Sequence, residues 1–336
     1  MSVENPQTAH KRLSFSRHWR IWVGGILTVV TLIWLIATTD WPATWAALAK
    51  ANYALVLFAV FSNLLTIPIR AWRWQLAFSH ENRPPIGNLT VAMLVGQAVN
   101  LAAPARLGDL IRASLVEGQR AAFVLGTQMI QTALDLLMTA VLVLIMLLQV
   151  SLPGWWRDSG EALLLTAVVA VTVIVIIALT RHPLSRILQS IPQRWPDIKG
   201  QRLLNIGGEF LRSLDTFERP SSLAWALALS VLLWSMYGFT NFLVLAAFSS
   251  HASLLAAFFV LIVLQLGVNI PSSPGRVGVY HYLSILALAV FPIEQAAAVS
   301  FAIVLHLISV ILPILLGAWL ASQSGISLFS YRQTTE

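Results

Sequence analysis

Two stretches of the chain place an arginine beside proline and glycine inside otherwise apolar sequence, a combination suited to gripping an anion. The first runs from Val99 to Gly108 and the second from Val268 to Gly278. With one inserted residue between them, both read Val-Asn, a spacer, proline, a small residue, arginine, an apolar residue and glycine. A guanidinium presents a planar fork of donors that matches phosphate oxygens. The repeated pattern therefore predicts anion recognition by two related elements.

Proline and glycine break the apolar segments at matching places in the two halves. A helix that begins after Pro104 or Pro274 presents unpaired backbone N–H groups and the positive end of its dipole, which attract an anion. Ser272 and Ser273 can add hydrogen bonds. The other residues predicted to shape these breaks are Gly108, Pro271, Gly275 and Gly278. Paired broken helices of this kind are typical of binding sites in transporters.

A structural interpretation of the same residues stays open. Either break alone could be a kink whose backbone groups are satisfied by neighbouring helices. Arg106 could pair with Asp109 or Asp135, and Arg276 could extend to a membrane interface. Asp135 is a lone carboxylate in an apolar helix, so it is predicted to be a proton carrier or, preferably, the counter-ion of an arginine.

Further polar residues join the candidate site. Arg70 and Arg73 lie among tryptophans at a helix end and serve either as an interfacial anchor or as headgroup ligands. His281 and His306 lie in apolar helices and are either hydrogen-bonded core residues or proton-coupling groups. The predicted substrate-binding residues are Arg70, Arg73, Asn100, Arg106, Asp109, Arg112, Asp135, Asn269, Ser272, Ser273, Arg276 and His281. No catalytic residue, metal site or cofactor is predicted.

The composition specifies the surroundings of these residues. Of 336 residues, 57% are hydrophobic and 10% charged, whereas about a quarter are charged in soluble domains. Several apolar runs approach the ~20 residues that cross a bilayer. The sequence predicts an all-α, polytopic integral membrane helical bundle with about six full crossings. The net charge of +7 is assigned to loops that flank these spans, so no nucleic-acid partner is expected.

The positions of the basic loops predict topology. Both termini are expected on the cytoplasmic side of the cell inner membrane, because basic residues concentrate in the terminal segments and in the loops on the same side of the membrane. The predicted regions are a basic segment at 1–20, a single transmembrane domain at 21–322 and a cytoplasmic tail at 323–336. A basic loop at 180–220 is expected to carry an amphipathic helix. The two broken or re-entrant pairs enter from opposite sides in an inverted-repeat arrangement, although the arms of the second pair are nearly long enough to span fully.

Three motifs resemble the flippase-like transmembrane family of lysylphosphatidylglycerol synthases. They are R-x-x-R-W at 70–74, N-x-x-x-P-x-R-x-G-[D/E]-x-x-R at 100–112 and P-S-S-P-G-x-x-G-V at 271–279. The resemblance covers nearly the whole chain. It implies an inner-membrane protein that moves an aminoacylated phospholipid between leaflets, without the family's cytoplasmic aminoacyl-transferase domain.

The chain departs from the family pattern in three respects. Gln131 replaces an acidic residue of an E-R-x-x-D pattern, whose basic residue is also lost. His281 stands where glutamate is usual, and Arg276 replaces a glycine. The extra cation favours a more anionic cargo than a lysyl lipid.

The leading interpretation is a translocator, or flippase, for a phospholipid or a lipid-linked anionic headgroup, and not an enzyme. Its expected partners are membrane lipids, anionic ones first. Two alternatives remain: an intramembrane lipid-phosphate transferase with Asp109 or Asp135 as base, and a non-transporting partner of a separate lipid-modifying enzyme.

Overall fold

The structure, a computed structural model, describes residues 23–102, 107–149, 220–267 and 274–323, with a few further positions between 165 and 213. All regular elements in this part of the chain are helices. They are α1 (Val23–Thr38), α2 (Trp41–Ala49), α3 (Tyr53–Gln75), α4 (Ile86–Ala102), α5 (Leu107–Ser114), α6 (Ala121–Gln149), α7 (Pro220–Phe248), α8 (Leu254–Gly267), α9 (Val279–Leu288), α10 (Gln295–His306) and α11 (Leu312–Gln323). A π-helical turn, Leu307–Ile311, joins α10 to α11.

Four of these stretches are long and apolar enough to cross a membrane: α3, α6, α7 and the continuous run from α10 through α11. The α1–α2 pair, bent by 84°, raises the number to five if it counts as one span. The bend follows from the sequence, because the side chain of Asp40 accepts a hydrogen bond from the Ala43 amide and starts a new helix. The protein is therefore a polytopic, all-helical membrane protein.

Some predicted segments lie outside the described residues. They are the basic segment at 1–20 and, apart from isolated positions, the amphipathic helix of the 180–220 loop, together with nearly all of the tail at 323–336. The apolar run at 162–179, which is one of the expected crossings, also lies outside them apart from isolated positions. The chain forms two compact units. The first unit combines 1–56 with 242–311, and the second combines 57–241 with 312–336.

In the second unit, α5 folds back along α4. A methyl group on Gly108 would overlap the carbonyl oxygen of Gly96 on α4, so the two backbones touch at this point. Beside it, Asn100 Nδ2 donates to Asp109 Oδ1 at 3.0 Å. The close approach is possible because neither glycine carries a side chain.

The other end of this hairpin is also closed. Asn88, near the start of α4, donates from Nδ2 to the carbonyl oxygen of Leu115 at 3.1 Å and accepts from the Glu117 amide at 3.2 Å. The chain therefore enters and leaves the hairpin at the same level. With 17 and 8 residues, α4 and α5 are about 26 and 12 Å long, shorter than the ~30 Å hydrocarbon core.

The first unit contains a second hairpin of short helices, α8 and α9. Gly267 lies against the side chain of Leu283, and the rings of Phe259 and Phe291 meet edge to face with centroids 5.6 Å apart. These pairs show that the two helices run antiparallel. With 14 and 10 residues, α8 and α9 measure about 21 and 15 Å.

The Gly96–Gly108 contact makes the first hairpin sensitive to a single methyl group. We expect Gly108→Ala to lower the free energy of unfolding by about 1–3 kcal/mol, because the added methyl must displace backbone. The matched change Gly87→Ala meets open space on α4 and should be neutral or stabilising by up to about 1 kcal/mol. Thermal unfolding of the two variants in detergent measures the difference; equal melting of Gly108→Ala and the parent protein contradicts the packing.

Candidate functional site

A polar cavity of about 190 Å³ lies within the second unit, bordered by α3, α4, α5 and α6. Most of its lining is charged or can form hydrogen bonds. The lining residues are Arg70, Arg73, Trp74, Met93, Asp109, Arg112, Gln128, Gln131, Thr132 and Asp135. Three arginines face two aspartates, so the lining carries a formal excess of one positive charge.

Helical spacing explains how these side chains come together. Arg70 and Arg73 are three residues apart on α3, and Asp109 and Arg112 are three apart on α5. Residues three or four apart share one face of a helix. The same spacing places the polar residues of α6, which are Gln128, Gln131, Thr132 and Asp135, on the face toward the cavity. The hairpin then carries α5 against α6, which brings the three polar faces together.

Arg73 and Asp135 form the ion pair that ties this cluster together. Arg73, only 3% exposed, donates from Nη1 to Asp135 Oδ1 at 2.8 Å, and its Nε donates to Gln131 Oε1 at 2.8 Å. From α7, Ser230 Oγ accepts from the same Nη1 at 3.1 Å, and Trp234 Nε1 approaches Asp135 Oδ1 at 3.4 Å. Asp135 is therefore the counter-ion of an arginine, and that arginine is Arg73. The burial of Arg73 does not fit an interfacial anchor.

Arg112 stands in contrast to Arg73. Its guanidinium carbon lies 4.1 Å from the ring centroid of Trp74, a cation–π contact. Trp74 is itself fixed, because its Nε1 donates to Thr127 Oγ1 at 2.9 Å and its ring is fully buried. The buried Nε of Arg112 has no hydrogen-bond partner among the described residues. This guanidinium is thus held in position with donors left over.

Arg70 is the second such cation. It is half-buried on α3, one turn from Arg73, and it makes no hydrogen bond or ion pair within the described part of the chain. Asp109 accepts its hydrogen bond from Asn100, and Gln128 Nε2 approaches the backbone oxygen of Asp109 at 3.4 Å. The cavity thus combines one satisfied ion pair with two guanidinium groups that can bind an anion.

Several predicted site residues lie outside the described part of the chain, namely Pro104, Arg106, Asn269, Pro271, Ser272 and Ser273. The predicted pairing of Arg106 with Asp109 or Asp135 therefore stays a prediction, and Asp135 is also bonded to Arg73.

The rest of the second motif forms a tight turn in the first unit. Gly275, Arg276 and Gly278 have φ angles of 75°, 57° and 85°, a left-handed conformation that glycine adopts without strain. A methyl group on Gly278 would overlap the hydroxyl of Thr31 on α1. Glycine is therefore required at Gly278 for both its φ angle and the close approach of α1.

Two buried histidines support this turn. His306 Nε2 lies 2.7 Å from the carbonyl oxygen of Gly275, and the Gly278 amide donates to His281 Nδ1 at 3.4 Å. The two imidazole centroids are 4.9 Å apart, and Tyr280 lies at the same distance from His306. This geometry matches hydrogen-bonded core histidines, one of the two interpretations of these residues from the sequence.

Sequence reasoning missed several residues of the cavity. Trp74 belongs to the R-x-x-R-W motif but has no role predicted from the sequence. No sequence pattern distinguishes Met93, Gln128 and Thr132 from the residues around them. The partners on α7 had a detectable signal, because Ser230, Trp234 and Tyr237 recur at spacings of four and three in an apolar helix. That periodicity marks a polar face.

Comparisons with known proteins add an independent line of evidence. The sequence profile of one family, described as the lysylphosphatidylglycerol synthase TM region, matches residues 21–317. The chain is also similar to a protein named glycosyltransferase AglD from Haloferax volcanii, with 25% identity over 331 residues that cover 88% of this chain and 53% of that protein. The chain thus spans about half the length of this curated relative. No solved structure matches the chain.

The buried ion pair allows a direct test of the site's architecture. Asp135→Leu should lower the free energy of unfolding by about 3–5 kcal/mol, because it leaves the Arg73 charge buried without a counter-ion. The double variant Arg73→Met/Asp135→Leu should recover most of this loss. Arg120→Ala removes an exposed ion pair with Glu209 and should cost less than about 1 kcal/mol. Thermal unfolding followed by tryptophan fluorescence measures all three; a double variant no more stable than Asp135→Leu argues against the pair.

Proposed function

The chain belongs to the family of lysylphosphatidylglycerol synthase TM regions, and on this premise we propose that it binds the anionic headgroup of a membrane lipid and moves it between leaflets. The cavity of the second unit is the proposed headgroup site. The acyl or prenyl chains stay in the bilayer while the headgroup is bound. The membrane lipids are thus the proposed partners, and the cell inner membrane is the proposed location.

One observation carries this proposal: two guanidinium groups, Arg70 and Arg112, face a common cavity without ion-pair partners among the described residues. An uncompensated cation in low-dielectric surroundings is unfavourable, and an anion that enters the cavity relieves this penalty. Phosphate suits the site because its oxygens match the fork of a guanidinium. Arg73 adds no further attraction, since Asp135 neutralises it.

The topology of the proposed translocator follows the sequence repeat. Each unit contains one antiparallel hairpin of short helices at a motif that reads V-N, a spacer of three or four residues, and P-x-R-x-G. We propose that these hairpins are the two members of an inverted repeat within about six crossings, with both termini cytoplasmic. The basic loops support this orientation.

A role as a transferase fits the cavity less well. General-base catalysis needs a carboxylate that is free to take a proton. Of the two carboxylates at the cavity, Asp135 is paired with Arg73, and Asp109 accepts a hydrogen bond from Asn100. We therefore propose that the described part of the chain binds lipid without transforming it.

A second candidate function rests on the relatives. The family takes its name from a synthase and the similar Haloferax protein is named a glycosyltransferase, while this chain covers 53% of that protein. The family region can thus occur together with an enzyme in one chain. The second candidate is a membrane region that binds a lipid and presents it to a lipid-modifying enzyme. Both candidates require headgroup binding, and only the first requires translocation.

The double variant Arg70→Gln/Arg112→Gln tests headgroup binding. Each lost charged hydrogen bond is worth about 1.5–3 kcal/mol, so we expect retention of phosphatidylglycerol and phosphatidic acid to fall at least about 100-fold. Native mass spectrometry of purified protein measures retention, with phosphatidylcholine as the comparison lipid. The control Arg120→Gln/Arg212→Gln removes the same charge from exposed side chains at Glu209 and should bind as the parent protein does.

Translocation is measured separately with fluorescent analogues of the same lipids in vesicles, by chemical quenching of the outer leaflet. We expect the parent protein and the surface control to accelerate exchange of an anionic analogue, and the cavity variant to do so far less. Equal lipid retention by both double variants rejects the cavity as the headgroup site. Binding without accelerated exchange rejects the translocator and favours the lipid-presenting function.

A further inference from the structure

A row of polar side chains leads away from the cavity between α3 and α7, entirely within the second unit. We call this row the polar seam. On α3 its residues are Ser62, Thr66, Arg70 and Arg73, and on α7 they are Ser230, Tyr237 and Thr240. The spacings of four, four and three on α3 place its members on one helical face. The seam is therefore a continuous surface of two helices and extends beyond the pocket lining.

Three contacts join the two sides of the seam. At the cavity end, Arg73 donates to Ser230 at 3.1 Å. In the middle, Tyr237 shares a side-chain hydrogen bond with Thr66 and lies beside Arg70. At the far end, Thr240 Oγ1 donates to Ser62 Oγ at 2.9 Å. Each step along α3 is thus matched by a step in the opposite direction along α7.

The length of the seam is comparable to the depth that a headgroup has to cross. From Ser62 to Arg73 it covers twelve residues, or eleven helical steps, of a membrane-spanning helix, which is about 16 Å at the ~1.5 Å rise per residue. This is roughly half of the ~30 Å hydrocarbon core. A headgroup that moves through this depth needs polar partners throughout, because unsatisfied polar groups in hydrocarbon are costly.

The middle of the seam also contains a point of weakness. Pro68 lies inside α3, between Thr66 and Arg70. Proline removes one backbone hydrogen bond of the helix and is a frequent site of bending. The two hydroxyl contacts beyond it are neutral, and interhelical hydrogen bonds of this kind contribute only about 0.6 kcal/mol on average. The half of the seam that lies beyond Pro68 can therefore open more easily than the half held by the Arg73–Asp135 pair.

We propose that the polar seam is the path of the headgroup out of the cavity. The two helices separate along it, and Thr66, Tyr237, Ser62 and Thr240 exchange their interhelical hydrogen bonds for bonds to phosphate oxygens. Arg70 lies at the junction of cavity and seam, so it contacts the anion as the anion passes from the cavity into the seam. This inference rests on the proposed translocator function and specifies its route.

The absence of cysteine in the whole sequence allows a reversible test. In Ser62→Cys/Thr240→Cys, oxidation should join α3 and α7 at the far end of the seam, since the parent hydroxyl oxygens are 2.9 Å apart. We expect oxidation to slow exchange of fluorescent phosphatidylglycerol in vesicles at least about tenfold, and reduction to restore it. Retention of phosphatidylglycerol in native mass spectrometry should not change, because the cavity lies at the other end. Each single-cysteine variant, oxidised in the same way, is the control.

The outcomes separate the route from the function. Unchanged exchange in the oxidised, cross-linked protein overturns the seam and leaves the translocator standing. A parent protein that retains phosphatidylglycerol and phosphatidic acid but exchanges neither rejects the translocator, and the seam with it. Loss of lipid retention on cross-linking also overturns the proposal, since the seam would then be part of the binding site.

A second variant covers the case in which the cross-link does not form. Thr66→Val/Tyr237→Phe removes the middle contact at nearly constant volume, and we expect at least about tenfold slower exchange with unchanged retention. Thr139→Val removes another buried hydroxyl of the same unit, one that donates to the Asp135 backbone oxygen on its own helix. It should exchange lipid at the parent rate. If the Thr66/Tyr237 variant also exchanges at the parent rate, the seam serves only helix packing.

Discussion

The second unit depends on one electrostatic requirement: a guanidinium at membrane depth must have a counter-ion. Arg73 meets it with Asp135, 62 residues further along the chain. The pair links α3 to α6, and the additional bonds to Ser230 and from Trp234 attach α7. Because a charge left alone there is so unfavourable, the pair fixes the rotation of three helices at once. Arg70, one turn away on α3, is thereby directed to the cavity and the polar seam.

Close backbone contact supplies the second constraint. α5 is too short to cross a membrane, yet it places Arg112 and Asp109 at the cavity because Gly108 allows it to lie directly on α4. On another side of α4, Gly317 of α11 packs against the Leu94 backbone. Small residues at such contacts are a common way to pack helices where the hydrophobic effect between them is absent. Electrostatics thus orients the long helices, and glycine contacts position the hairpin between them.

The sequence predicted the features that depend on local pattern. Crossings by long helices such as α3 and α6 followed from apolar runs of about 20 residues. The separation of α4 from α5, and of α8 from α9, followed from proline and glycine in the repeated motifs. The partner of Arg73 could not be predicted, because an ion pair between two helices leaves no trace in the residue periodicity of either helix. Ser230 illustrates the same limit, since a serine in an apolar helix usually bonds its own backbone, as this one also does with Ala226. Trp74 was missed because its role depends on Arg112 approaching from another helix.

The stacking of Arg112 on Trp74 lowers the conformational entropy that this side chain loses in the proposed binding of an anion. Long side chains usually lose conformational entropy when they bind, and this loss weakens affinity. Here the buried ring, itself held by Thr127, has already restricted the guanidinium before any anion arrives. The site is thus preorganised, and the planarity and reach of the side chain matter as much as its charge. A lysine at this position would keep the positive charge, but it would have neither the flat stacking surface nor the fork of donors, so it would not be a conservative replacement.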